Sequence, residues 1–128
     1  MAALIHLDTH VVAWLYAGRF DLLPDTVKDL LNTHELGVSP MVRLELQYLY
    51  EIDRLAQPAA AIVDELAGAI GLVLCAEPFH AVVAEAERQS WTRDPFDRLI
   101  VAQSAYSGST LVTRDDRILE NYAHAVWQ

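Results

Sequence analysis

Apolar residues along this chain follow two rhythms. Short runs that are apolar nearly throughout, Ala3 to Leu7, Gly71 to Cys75 and Thr110 to Thr113, have the length of strands, and Leu36 to Ser39 and Ala125 to Trp127 are weaker runs of the same kind. Between them, apolar positions return every three or four residues. That spacing predicts helices over Thr9 to Ala17, Leu23 to Thr33, Pro40 to Asp53, Pro58 to Ile70, Phe79 to Gln89, Pro95 to Ser107 and Asp116 to Tyr122. Three of the helices carry a start signal. Ser39 precedes Pro40, Gln57 precedes Pro58 and Asp94 precedes Pro95, so a proline takes the first helical position, where its missing N–H costs nothing. Strands that are apolar on both faces and alternate with helices belong in a buried parallel sheet. The expected fold is α/β, a three-layer α/β/α sandwich around a central parallel sheet of four to five strands.

Length and composition narrow this to one unit. A chain of 128 residues, 53% hydrophobic and 21% charged, is expected to form a single domain over residues 1–128. At this size about two thirds of the unfolded surface is buried on folding, enough for a core without disulfide or metal staples. Cys75 is the single cysteine and cannot close an internal bridge. No repeat or low-complexity run interrupts the pattern. The apolar segment Ala2 to Leu7 lacks a basic flank and contains His6, and no apolar stretch approaches the roughly 18 residues of a membrane span, so a cytoplasmic location and no membrane partner are expected.

Charge complicates the picture. The chain carries 18 Asp and Glu against 9 Lys and Arg, a net of −9, with Lys28 as the only lysine. Such a balance excludes a protein that coats nucleic acid through a basic surface. It also directs attention to where the acids stand. In an open parallel sheet, sites form outside the carboxyl ends of the strands. Asp8 directly follows the first strand, and Asp115 and Asp116 follow Thr110 to Thr113 with only Arg114 between. Laid out at about 100° per residue from Met41, Glu45 falls at about 40°, between Met41, Tyr48, Ile52 and Leu49, while Arg43, Gln47 and Glu51 gather at about 200° to 280°. A carboxylate aimed at a core must be paired, protonated or bound to metal, and nothing in its own helix supplies a partner.

The segment Arg93-Asp94-Pro95-Phe96-Asp97-Arg98 adds two more acids. Asp94 reads as the N-cap of the following helix. Asp97, at the third helical position, is aimed equally well out of the helix end towards the rim of the sheet. One of Asp115 and Asp116 suffices to cap the last helix, which leaves the other unexplained by capping. A cluster of such acids needs a counter-charge, and hard divalent cations prefer oxygen ligands. The histidines His6, His10, His34, His80 and His124 show neither an HExxH pattern nor a paired Cys/His spacing, and are expected to be ordinary surface or core residues.

These residues resemble the PIN-domain ribonucleases, and among them the VapC-like toxins of type II toxin–antitoxin modules. The resemblance runs nearly end to end, through Leu7-Asp8-Thr9-His10, Ser39 with Glu45-Leu46, the string Arg93 to Gln103 containing DPFDRLI, and Leu111-Val112-Thr113-Arg114-Asp115. It implies a Mg2+- or Mn2+-dependent endoribonuclease with Asp8, Glu45, Asp97 and Asp115 as catalytic and metal-binding acids. Thr9, Asp94, Thr113 and Asp116 would support them. In place of a further acid found in some relatives, this chain has Ile118. Hydrolysis by metal-activated water would leave a 5′-phosphate and a 3′-hydroxyl. Arg93, Arg98, Arg114 and Arg117 flank the acid motifs and are candidates for holding RNA phosphates.

The resemblance also implies a homodimer and a cognate antitoxin. Trp14, Leu15, Tyr16, Tyr48, Leu49 and Tyr50 offer more apolar surface than one face can bury, which suits a partner. Two rival functions stand beside this one. A Mg2+-dependent phosphotransfer or phosphohydrolase domain would use Asp8 as nucleophile and want a lysine near the phosphate, and a catalytically inactive module would bind RNA or protein only. Setting aside Asp8, Glu45, Asp94, Asp97, Asp115 and Asp116 leaves 12 of the 18 acids against 9 basic residues, a net of −3. Much of the acidity is therefore concentrated in the candidate site.

Overall fold

The computed structural model describes residues 4–128. The strand-length runs become β1 (Leu4–Leu7), β2 (Glu35–Val38), β3 (Val73–Leu74), β4 (Leu111–Val112) and β5 (Ala125–Val126). Ala3, where the first strand was expected to begin, lies outside the described residues. The helices are α1 (Thr9–Tyr16), α2 (Asp25–Thr33), α3 (Pro40–Glu51), α4 (Ala59–Ile70), α5 (Phe79–Ala86), α6 (Pro95–Ser107) and α7 (Asp116–Asn121), with one 3₁₀ turn over Phe20–Leu22. Every strand pairing is parallel, in the order β3-β2-β1-β4-β5. Helices flank the sheet on both faces, giving the three-layer α/β/α sandwich.

This order fixes where a site can form. From β1 the chain moves to β2 and β3 on one side of the sheet, and later supplies β4 and β5 on the other side. The direction of winding thus reverses between β1 and β4, and the diverging connections leave a crevice beyond their carboxyl ends. Successive side chains of β1 face opposite ways. Ile5 and Leu7 enter the main core with Val11, Val12, Val42, Leu46, Ile100, Val101, Leu111, Val112 and Ile118. His6 faces α6, where its Nδ1 lies 2.8 Å from Ser104 Oγ.

Three local expectations need correction. Leu23 does not start α2; it is extended, as steric clash with Pro24 favours, and Pro24 becomes the N-cap. Pro58 is likewise the N-cap of α4 rather than its first residue, and Gln57 does not cap it. The Ala59 N–H instead donates to Gln47 Oε1 of α3, 3.2 Å away. On α3 the buried face is Val42 and Leu46, while Tyr48 and Ile52 are 48% and 44% exposed. Glu45 therefore stands at the border of the core face, half-buried.

Candidate active site

Three backbone transitions and the face of one helix bring carboxylates to the crevice. Asp8 ends β1 and caps α1, accepting from the Thr9 N–H at 2.8 Å through Oδ1. Its Oδ2 accepts from the Thr113 hydroxyl at 2.7 Å, just beyond β4. The same Thr113 oxygen accepts from the Asp115 N–H at 3.0 Å. One buried threonine thus ties the ends of the two adjacent central strands together. Asp115 caps α7, accepting from the Arg117 and Ile118 N–H groups at 2.8 and 3.2 Å through Oδ1. Glu45 reaches in from α3, and its Oε1 accepts from the Thr9 hydroxyl at 2.5 Å. The partner that α3 could not supply is this α1 threonine.

Asp97 stands in the first turn of α6, where the Asp94 carboxylate holds the helix start by accepting from the Phe96 and Asp97 N–H groups at 2.8 and 3.3 Å. The structure brings Asp8, Thr9, Glu45, Asp97 and Asp115 to the wall of one cavity. Asp94 is exposed and occupied as a cap. Asp116 is exposed as the first residue of α7 and does not line this cavity.

The arginines divide differently from their sequence positions. Arg114 lines the adjoining surface with His10, Trp14 and Asp115, its guanidinium 5.9 Å from the centre of the Trp14 ring. Arg98 turns towards the end of α5, donating to the Ala86 and Glu87 carbonyls at 3.1 and 3.4 Å. The last carbonyls of a helix are without internal partners and attract such a cation. Arg93 donates to the Ser90 carbonyl at 2.6 Å. Arg117 donates to the Trp91 carbonyl and lies against the Trp91 ring. Only Arg114 of the four therefore borders the carboxylate cavity.

Charge in the cavity is uncompensated. Among the described residues no arginine or lysine forms an ion pair with Asp8, Glu45, Asp97 or Asp115. Burial, reinforced by Asp94, Asp8, Asp115 and Glu45, pushes the Asp97 carboxyl up to about 7. Burial also raises Glu45, with Asp8 and Asp94 adding to the shift and the Thr9 hydrogen bond opposing it. Four carboxylates lining one cavity with no arginine or lysine partner offer the oxygen chemistry that hard divalent cations prefer.

Two residues at the site carried other expectations, His10 as an ordinary histidine and Trp14 as partner surface. His10 Nε2 accepts from the Arg114 N–H at 2.9 Å, and its Nδ1 lies 3.6 Å from Asp8 Oδ2. Burial lowers the His10 pKa against the opposing pull of Asp8 and Asp115. Trp14 packs against it in a tilted arrangement, ring centres 5.1 Å apart and planes at 60°, and meets Trp127 at 5.9 Å. The i to i+4 spacing of His10 and Trp14 was the available signal, since it places both on one face of the helix that Asp8 opens.

A family model described as PIN domain matches residues 5–125 of this chain. Ribonuclease VapC22 of Mycobacterium tuberculosis (strain ATCC 25618 / H37Rv) is 34% identical over 114 residues, covering 88% of this chain and 87% of the relative. Among solved structures, a toxin–antitoxin complex from Klebsiella pneumoniae matches with a TM-score of 0.65 at 15% identity, covering 95% of each chain. VapBC2 from Rickettsia felis, bound to a DNA fragment from its promoter, matches at 0.62 and 16% identity over 98% of this chain and 97% of that one. VapBC from Salmonella typhimurium, also DNA-bound, gives 0.61 and 18% over 98% and 96%. At these identities the solved structures share the fold.

Proposed function

This chain belongs to the PIN-domain family, and on that premise we propose that it is the toxin of a type II toxin–antitoxin module, a Mg2+- or Mn2+-dependent endoribonuclease. The observation that carries the reading is the cavity shared by Asp8, Glu45, Asp97 and Asp115, with no arginine or lysine paired to any of the four among the described residues. The ribonuclease name of the relative at 34% identity supports the reaction class.

Asp8, Asp97 and Asp115 would hold the divalent cation, with Glu45 completing or orienting the set. When bound, the ion supplies Lewis acidity and lowers the pKa of water. The chain's own residues prepare the site for it. Thr9 and Thr113 fix one oxygen each of Glu45 and Asp8, so these carboxylates need little reorganisation. Burial and the neighbouring acids push the Asp97 carboxyl up to about 7, and positive charge beside it would favour its ionised form. Trp14 and Arg114 form a wall on which a nucleobase can stack beside a held phosphate, and they give RNA a docking edge outside the carboxylates. Arg93, Arg98 and Arg117 are committed to backbone carbonyls and contribute to RNA binding only after leaving those contacts.

Partners follow from the same reading. A cognate antitoxin and a second copy of this chain are the partners, supported by the exposed side chains Leu44, Tyr48 and Tyr50 of α3 and Ile52 just after it. No helix among the described residues is long and apolar enough to cross a membrane. A cytoplasmic location suits the single free thiol, Cys75.

The phosphotransfer alternative fits less well. Asp8 is 4% exposed and both of its oxygens already accept hydrogen bonds, which leaves a poor nucleophile. Lys28 borders a different cavity with Leu15, Phe20 and Ile70. Cleavage of RNA by the purified chain in Mg2+ or Mn2+, its loss in excess EDTA, and its loss on Asp8→Asn test the proposal. Activity that persists in EDTA, or covalent phosphorylation of Asp8, would reject it.

A further inference from the structure

We propose that His6, Cys75 and Glu77 form a second metal site, separate from the carboxylate cavity and suited to Zn2+ rather than Mg2+. One ligand atom from each residue lies within 4.8 Å of the others. Cys75 Sγ stands 3.4 Å from His6 Nε2. In a tetrahedral zinc site, bonds of about 2.3 Å to sulfur and about 2.0 Å to nitrogen separate those two atoms by about 3.5 Å. The thiol and imidazole therefore already stand at the edge length that the ion requires.

The surroundings hold each ligand in a binding orientation. His6 Nδ1 meets Ser104 Oγ at 2.8 Å, and when that nitrogen donates, the Nε2 lone pair faces Cys75. Gln103 Nε2 donates to Glu77 Oε2 at 2.8 Å, leaving the other carboxylate oxygen for a cation. Metal-binding imidazoles and carboxylates are oriented by partners of this kind. Ser104 and Gln103 are consecutive residues of α6, so one helix serves both ligands.

Gly37 makes the meeting possible. It pairs with His6 of β1 on one side and with Val73 of β3 on the other. Strands two places apart in a sheet are separated by about 9.6 Å, so side chains from β1 and the end of β3 can meet only over a very small residue. A Cβ on Gly37 would lie 3.3 Å from Cys75 Sγ and 3.0 Å from Leu4 Cδ1. Gly37 is not among the positive-φ glycines, so the missing side chain, and not backbone freedom, is what this position uses.

Thiolate and imidazole select a borderline ion over Mg2+. Half-buried Glu77 lines a groove with Ser39, Met41 and Gln103, and a cation and its fourth-position water would reach buried His6 and Cys75 from that side. Burial, with Glu77 adding to it, pushes the Cys75 thiol up to about 12, so the metal-free protein carries S–H. On binding, the S–H bond is replaced by a sulfur–zinc bond and the proton passes to solvent. The ion would clip β1 to the segment after β3. No short sequence spacing announces the site, because His6 and Cys75 are 69 residues apart.

The test is a Co2+ titration of the full chain, freed of metal by chelation. One equivalent should produce a thiolate-to-cobalt charge-transfer band that Zn2+ abolishes by displacement and excess Mg2+ does not. Asp97→Asn, which disables the carboxylate cavity, should keep the band. Cys75→Ala should lose it, and Gln103→Ala should weaken Co2+ affinity by about tenfold. Should Cys75→Ala fail to fold, alkylation of Cys75 in the unaltered protein gives the same answer, since Zn2+ but not Mg2+ should slow it. No thiolate band, a band that survives Cys75→Ala, or alkylation indifferent to Zn2+ would overturn the proposal.

Discussion

Asp97 combines the raised carboxyl pKa with a place in the cavity wall, and its titration has a definite sign. Between its ordinary value of 3.8 and about 7, the folded metal-free chain holds a proton on Asp97 that the unfolded chain has lost. Folding stability from this residue is therefore fully present below 3.8, is lost as pH rises to about 7 and changes no further above it. Thermal melting in EDTA should show that decline, and Asp97→Asn should flatten it. Bound Mg2+ should reverse it, because the ion favours the ionised carboxylate. A buried threonine gives a second prediction. Thr113→Val removes the hydroxyl that joins Asp8 to the Asp115 N–H and should cost about 1–3 kcal/mol, read from denaturant unfolding. At this scale Asp8, Asp97 and Asp115 were legible because strand ends and helix starts are local signals, and Glu45 because helical spacing set it among apolar neighbours. The directions of Arg98 and Arg117 were not, since each is captured by a carbonyl of a distant segment.

Asp8, Asp97 and Asp115 reach the cavity from helix starts. Asp94 caps α6 and does not line the cavity, so Asp94→Ala should lower stability by about 0.5–2 kcal/mol while leaving more cleavage activity than Asp97→Asn. Unfolding curves and RNA cleavage rates on the two variants check this. Ser39 and Asp94 each precede a proline that does occupy the first helical turn, and the sequence pattern located both starts. The same Gln57-Pro58 pattern misplaced α4 by one residue, because glutamine at position 57 does not cap and Gln47 of α3 satisfies Ala59 instead. The face of α3 was also hard to place from its own residues. Tyr48 and Ile52 look like core at helical spacing, yet tertiary packing chose Val42 and Leu46 and left Glu45 at the edge, where a carboxylate can meet both Thr9 and solvent. Parallel topology was readable from the alternation of apolar runs and helices. The strand order, which sets the crevice between β1 and β4, follows only from long-range pairing.

For the whole molecule, the net charge of −9 makes RNA affinity depend on bound cations. With the carboxylate cavity stripped of metal, binding of a non-cleavable RNA analogue should be weak and should gain little from lower salt, because few arginines are free to release counterions. Titration by fluorescence anisotropy with and without Mg2+ reads this directly. The most direct test of the account is cleavage of a defined RNA by the unaltered chain and by Asp97→Asn, each in Mg2+ and in excess EDTA, with the new ends mapped. The expected result is cleavage by the unaltered chain in Mg2+ alone, leaving a 5′-phosphate and a 3′-hydroxyl, with a loss of about 10²-fold or more on Asp97→Asn. Equal cleavage by the two proteins, or cleavage undiminished in EDTA, would contradict it.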